Sequence, residues 1–308
     1  MRTAVIGVGH LGRHHARILA AMDGAELVAV CDTNRDRANE IAAQHGASVV
    51  DDPASLAGAV DAVVVATPTA SHLDVAMPLI EAGIAVLIEK PLARTLEEAD
   101  ALVAAARAKG VALAVGHTER FNPAVAAARP LLASPRFIEC HRLGTFPDRS
   151  LDIDVVFDLM IHDLDVVLSF VDSPVAAIDA VGVPVLTPRI DIANVRLRFE
   201  SGCIANLTAS RISRDRVRKI RVFQPDSYVA VDYAAQELEV WRLIRGTEGP
   251  PRIDGGRVEV QRDEPLRREL EDFVTAVRDG RDPAVPGEDG RRALALAQQI
   301  TDAMLSVV

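Results

Sequence analysis

The passage from an apolar run into a spaced glycine triplet, within RTAVIGVGHLGR over residues 2–13, constrains this chain more than any other feature. Ala4, Val5 and Ile6 read as a buried strand, and Gly7, Gly9 and Gly12 follow it as G-x-G-x-x-G. Gly7 allows a tight turn, Gly9 lets the backbone come up to a pyrophosphate, and Gly12 lets the next helix pack close to the strand. A helical stretch from His14 to Met22 comes next, and its bare N-terminal amides, at the positive end of the helix dipole, suit phosphate groups. Asp32 ends LVAVCD about 20 residues beyond the triplet, where a ribose ligand belongs. Strand, glycines, helix and acid together predict a dinucleotide site with Gly7, Gly9, His10, Leu11, Gly12 and Asp32 as its contacts. A carboxylate accepts from a ribose 2′-hydroxyl and repels a 2′-phosphate, which favours NAD; Arg35 and Arg37 leave NADP open.

At 308 residues, one such domain leaves more than half of the chain for something else, so two domains are expected. With 49% hydrophobic residues and only 4% aromatics, their cores must be built mainly from Ala, Val, Leu and Ile. A net charge of −10 argues against a general nucleic-acid or anionic-membrane surface, so any phosphate site has to be local. Cys31, Cys140 and Cys203 are far apart and suggest neither a disulfide framework nor a zinc site. The chain starts directly on a strand and has no apolar run of membrane-spanning length. These features predict a reduced, soluble, cytoplasmic protein. No metal is expected, and His14 and His15 read as surface and helix-packing residues.

Strand and helix alternate through the first 118 residues. Thr33 or Asn34 caps a helix that stops at Gly46, DAVVVATP follows as a strand apolar on both faces, and a helix from Ser71 to Ala82 closes on Gly83. AVLIEKP is the next buried strand, Thr95 and Glu98 form a capping box, and VALAVGH completes the series. The predicted architecture is a doubly wound parallel α/β domain over residues 1–118, with an α+β domain over residues 119–308. Ligands bind at the carboxyl ends of strands in such sheets, which brings in Thr67, Pro68, His72, Glu89 and Lys90. Lys90 can equally be a lysine that leaves for solvent beside its own counter-ion, and His72 can be structural.

In the second half, Asn122 and Pro123 open a helix at the domain junction. Glu119, Arg120 and Asn122 are substrate-side candidates there, with capping and salt bridging as their alternative roles. The stretch from Asp152 to Phe170 reads as a buried helix, apolar almost all round, with Asp154, Asp158, His162, Asp165 and Ser169 in one polar stripe. Asp158 and His162, four apart, suit a general base with its orienting carboxylate. From Val175 the period changes to two, and CIANLTAS, VRKIRVF, SYVAVD, LEVWRLI and RVEVQR predict a mainly antiparallel sheet. RGTEGPPRIDGG reads as a mobile polar hairpin loop, and helices from Pro265 to Asp279 and Gly290 to Ser306 close the chain. Arg211, Arg214, Arg216, Arg218, Lys219 and Arg221 form a local basic patch, either a solvated strand face or a seat for the phosphates of a nucleotide-linked substrate.

GVGHLGRHH, ATPTASH, EKP, RFNP, the D-x-x-x-H of Asp158 to His162, and PGEDGRRAL occur in an order that resembles the glucose-fructose oxidoreductase, inositol dehydrogenase and MocA (Gfo/Idh/MocA) family along the whole chain. The resemblance implies a Rossmann domain followed by an open-faced sheet domain, pairing into homodimers or homotetramers through the sheets. It also implies that Lys90 hydrogen-bonds the reacting hydroxyl and steadies the nicotinamide, while His162, oriented by Asp158, takes the hydroxyl proton and hydride passes to NAD. Asp165 joins the substrate-side candidates. The family often carries a glycine-rich run before the aspartate and a glycine between Asp and His, where this chain has Asp154, Val155, Val156, Phe157 and Met160. GHTERFNPA and DVVFDLMIHDLDVVLSFV look most like the branch that oxidises the 3-hydroxyl of UDP-N-acetylglucosamine to a ketone. A dehydrogenase of a free sugar or inositol is the alternative enzyme. A cofactor-binding regulator is the alternative from another class, against which the retention of Lys90, Asp158 and His162 argues.

Overall fold

The apolar runs of the first third become parallel strands because helices cover both of their faces, leaving no strand face for polar side chains. In the computed structural model, which describes residues 1–146, 153–245 and 250–305, these are β1 (Arg2–Ile6), β2 (Glu26–Cys31), the short β3 (Ser48–Val49), β4 (Ala62–Val65), β5 (Ala85–Glu89) and β6 (Leu113–Gly116). They are ordered β3-β2-β1-β4-β5-β6, all parallel, and every residue of β4 and β5 is buried. Helices α1 (Gly12–Ala20), α2 (Arg35–His45), α3 (His72–Glu81) and α4 (Leu96–Lys109) connect them. Asn34 caps α2 by accepting from Arg37 N, and Thr95 caps α4 by accepting from Glu98 N. The return arm of the expected capping box differs: Glu98 takes the Arg94 backbone N–H and guanidinium instead. The strand order reverses between β1 and β4, and the crevice outside their carboxyl ends is where this architecture holds ligands.

The chain divides into two units: Met1–Thr118 with Glu264–Leu294, and Glu119–Asp263 with the chain from Ala295 on. The second domain is therefore not the uninterrupted 119–308 that the sequence suggests. Helix α7 (Pro265–Asp279) buries Leu270, Phe273 and Val274 in one cluster with Val5, Ile18, Leu19 and Leu87, and Arg17 pairs with Glu264. Pro286 forms a bridge to Ala114 beside β6 as α8 (Gly287–Leu305) begins.

The second unit carries eight strands ordered β14-β13-β12-β11-β7-β10-β9-β8, antiparallel except for the β7–β10 pair. They are β7 (Phe137–Leu143), β8 (Val175–Val183), β9 (Ile192–Phe199), β10 (Ile204–Ser210), β11 (Val217–Phe223), β12 (Ser227–Asp232), β13 (Glu237–Ile244) and β14 (Arg252–Val258). Alternate residues such as Ile138, Cys140, Leu207, Ile220 and Val229 are buried on the face covered by α5 (Pro123–Ala128) and α6 (Ile161–Phe170). The last strand corrects the expected RVEVQR: the paired residues are RIDGGRV. Gly255 and Gly256 are extended strand residues, not a turn. A Cβ on Gly255 would fall 2.0 Å from Val240 O, so the close approach of β14 to β13 is what demands glycine. Residues 246–249 of the expected hairpin loop lie outside the described residues.

Candidate active site

At the end of β1, Gly7 turns with φ +83° and its N–H donates to Cys31 O at 2.7 Å. A Cβ on Gly12 would stand 1.7 Å from Gly7 O, so helix α1 can start this close to the turn only on glycine. A Cβ on Gly9 would meet only the Arg37 guanidinium, at 3.3 Å, so the backbone there is open to approach. No side chain caps α1 at Leu11 and no acid stands in its first turn, which leaves the helix N-terminus to an anion. Asp32 accepts from Val8 N at 2.9 Å and Asn34 N at 2.8 Å, which holds its carboxylate at the end of β2. Arg37 Nη1 comes to 3.8 Å of Asp32, whereas Arg35 pairs with Asp51. This set of groups fits a dinucleotide: dipole and open glycine for the pyrophosphate, carboxylate for the ribose.

At the ends of β4 and β5, Thr67 and Lys90 are half-buried, Pro68 is exposed, and His72 is buried beneath them. His72 Nε2 lies 3.0 Å from Thr67 O, and Nδ1 lies 3.1 Å from Pro91 O. The imidazole thereby clasps the two loops together, and burial lowers its pKa. Both ring nitrogens thus face backbone carbonyls. Glu89 is buried as well, with Oε1 at 2.7 Å from His15 Nε2 and Oε2 accepting from Lys90 N at 3.3 Å. Burial alone would raise its pKa, but the His15 hydrogen bond and the Lys90 charge outweigh this and hold it below the usual carboxylate value.

In the second unit, the expected uniform helix is broken. Val156–Met160 form a π-helical turn before α6, so one extra residue enters the turn and the straight polar stripe is lost. Asp154 accepts from Ile190 N at 2.9 Å, while Asp158 in the π turn and His162 in α6 are both half-buried. Residue 152, the first of the stretch read as helix, lies outside the described residues. Asp165 is buried and meets Arg120 Nη1 at 3.2 Å. Asp163 is buried against Arg142, which grips it through Nε at 2.8 Å and Nη2 at 2.9 Å and reaches Glu119 at 2.9 Å. Burial opposes the Arg142 charge, but Asp163 and Glu119 raise its pKa well above the ordinary value. Asn122 caps α5 through Ala124 N and donates to Tyr233 O at 3.0 Å, so its amide is spent on the fold.

The basic patch also comes apart. Arg211 is fully buried, bound to Asp191 Oδ1 and Ile153 O at 2.8 Å each, and does not belong to a surface patch. Lys219 pairs with Asp232 and Arg221 with Glu139 across the sheet. Arg214, Arg216 and Arg218 remain exposed. His15 and Arg142 were missed as polar anchors, although each had a signal. Arg142 shares the inward parity of Ile138 and Cys140, and His15 stands beside Ala16 and Leu19 on the buried side of α1. Among the described residues, no group of three or more His, Cys, Asp or Glu is arranged to hold a metal ion, and no helix is long and apolar enough to cross a membrane.

A family model described as an oxidoreductase family with an NAD-binding Rossmann fold matches residues 1–117, and the GFO/IDH/MocA C-terminal domain matches residues 134–225. The chain is 41% identical to UDP-N-acetylglucosamine 3-dehydrogenase of Acidithiobacillus ferrooxidans, across 97% of this chain and 96% of that one. A solved structure of UDP-N-acetylglucosamine 3-dehydrogenase from that organism matches with a TM-score of 0.92 at 40% identity, covering 98% of this chain and 97% of the other. Myo-inositol 2-dehydrogenase of Thermotoga maritima is similar at 29% identity, over 96% of this chain and 94% of its own.

Proposed function

The chain belongs to the Gfo/Idh/MocA family of NAD-binding oxidoreductases, and from that premise we propose that it oxidises the 3-hydroxyl of UDP-N-acetylglucosamine to a ketone. The observation that carries the substrate is the 41% identity to a UDP-N-acetylglucosamine 3-dehydrogenase over 97% of the chain. NAD, when bound, accepts the hydride that leaves the carbinol carbon. Lys90 donates a hydrogen bond to the reacting hydroxyl oxygen and favours its deprotonation. His162 takes the hydroxyl proton, with Asp158 four residues earlier to orient its ring. The exposed Arg214, Arg216 and Arg218 are the candidates for the nucleotide phosphates, now that Arg211, Lys219 and Arg221 are accounted for.

The protein works as a homodimer or homotetramer joined through the uncovered face of the eight-stranded sheet. Phe137, Phe223, Tyr228 and Trp241 stand opposite one another on successive strands of that face, with ring centroids 5.6 Å apart for Phe137–Phe223 and 5.0 Å for Phe223–Tyr228. Such a row is suited to burial against a second copy. Its compartment is the cytoplasm, in keeping with three buried, unpaired cysteines.

NADH absorbance with NAD and UDP-N-acetylglucosamine tests the reading, beside free N-acetylglucosamine, glucose and myo-inositol. NADH with the nucleotide sugar and a 3-keto product by mass spectrometry are expected. NADH only with a free sugar or inositol would overturn the substrate. In His162→Ala and Lys90→Met, turnover should fall by about 10² to 10⁴ while NADH binding persists; full activity in either would remove its role.

A further inference from the structure

His15 lies three residues past Gly12 in α1, fully buried, with Nε2 at 2.7 Å from Glu89 Oε1. Nδ1 is buried and meets no partner among the described residues, so a proton there would be a donor without an acceptor. The ring proton therefore sits on Nε2 and is donated to the carboxylate. The second carboxylate oxygen accepts from Lys90 N at 3.3 Å, and a Cβ on Gly116 would come within 2.9 Å of it. Glu89 is thus seated by an imidazole, by the Lys90 peptide and by the bare Cα of Gly116. Strand β4 lies between β1 and β5, so the His15 hydrogen bond spans a strand to join the helix that follows the glycine turn to the strand that ends at Lys90. An apolar pair would fill the same space without desolvating a carboxylate, which points to a positional task for this contact.

We propose that His15 is a positioning residue for Lys90, acting through Glu89 to hold the lysine at a fixed place relative to the helix N-terminus that receives the pyrophosphate. The proposal rests on the reading of Lys90 as the group beside the reacting hydroxyl. Its test therefore includes a measurement that needs no substrate. The chain has three lysines, Lys90, Lys109 and Lys219, and the exposed Lys109 serves as an internal reference for trace acetylation followed by mass spectrometry.

In His15→Ala, the Lys90-to-Lys109 labelling ratio should move by about threefold or more, the equivalent of half a pKa unit. His15→Gln, which keeps a donor at Nε2, should return it to the wild-type value. Turnover in His15→Ala should drop about tenfold to hundredfold while the NADH dissociation constant, read by fluorescence, changes less than about threefold. An unchanged ratio in folded His15→Ala, a shift that Gln does not reverse, or NADH affinity lost in step with turnover would each overturn the proposal. If His15→Ala does not fold, Glu89→Gln keeps the contact and removes the charge; the ratio should rise there, and an unchanged ratio would overturn the role of Glu89. A shifted ratio in a protein that oxidises none of the sugars would reject the proposed function and leave the positioning role standing.

Discussion

Gly9 and Gly12 are the same residue for different physical reasons, and substitution separates them. A Cβ at Gly12 collides with Gly7 O at 1.7 Å, a backbone contact that cannot give way, so Gly12→Ala should lose NADH binding and melt at a lower temperature. Gly9 faces only the flexible head of Arg37 at 3.3 Å. Gly9→Ala should therefore keep its stability within about 1 kcal/mol yet bind NADH about tenfold more weakly, because the methyl group stands where the pyrophosphate approaches. Thermal melts and fluorescence titration on both variants check the contrast. At Asp32, the neighbouring Arg37 supplies a cation 3.8 Å away. Asp32→Ala should shift the ratio of NADP to NAD affinity towards NADP, read by titration with the two reduced cofactors. The glycine turn and the place of Asp32 were legible in the sequence because glycine spacing and the strand-end acid are local signals. The pairing of His15 with Glu89 was not, since the two residues are 74 positions apart.

Between elements, two buried ion pairs do what short-range pattern cannot describe. Arg142 ties β7 to α6 through Asp163, and Arg211 ties the end of β10 to the segment ahead of the π turn. Arg142→Met leaves Asp163 and Glu119 without their cation and should cost about 3 to 5 kcal/mol in urea unfolding. Asp191 accepts from Val185, Leu186 and Thr187 N–H groups as well as from Arg211, and together these overcome burial and hold its carboxyl well below the ordinary range. A carboxylate with a lowered folded-state pKa stabilises fully above its unfolded value of about 3.9 and loses that contribution as pH falls towards the folded value. Wild-type stability should therefore fall more steeply between about pH 5 and pH 3 than that of Asp191→Asn, by about 1 kcal/mol, in urea titrations at the two pH values. The buried character of the stretch from Val155 to Phe170 was readable from its apolar residues. Its π turn was not, because one inserted residue leaves composition and approximate period unchanged.

For the whole molecule, the uncovered sheet face leads to a test of assembly. Trp241 is the chain's single tryptophan and stands 40% exposed at the end of the aromatic row. Trp241→Asp should lower the mass in analytical ultracentrifugation towards that of the monomer, since a buried aromatic anchor contributes about 2 kcal/mol or more to an interface and a carboxylate there would be desolvated without a partner. An unchanged mass would place the interface elsewhere. By itself the sequence determined the alternation of strand and helix, the glycine turn with its acid, the change of period near Val175 and the inward alternation of Val195, Leu197 and Phe199. All of these depend on residues within a few positions of one another, where backbone sterics and side-chain periodicity decide. Only the tertiary structure decided that α7 returns to the first unit, that Gly255 and Gly256 lie within a strand, and that Arg211 is an internal brace. The reason is that burial and close approach are set by neighbours far away in the chain, and the same arginine or glycine takes a different role according to what stands across from it.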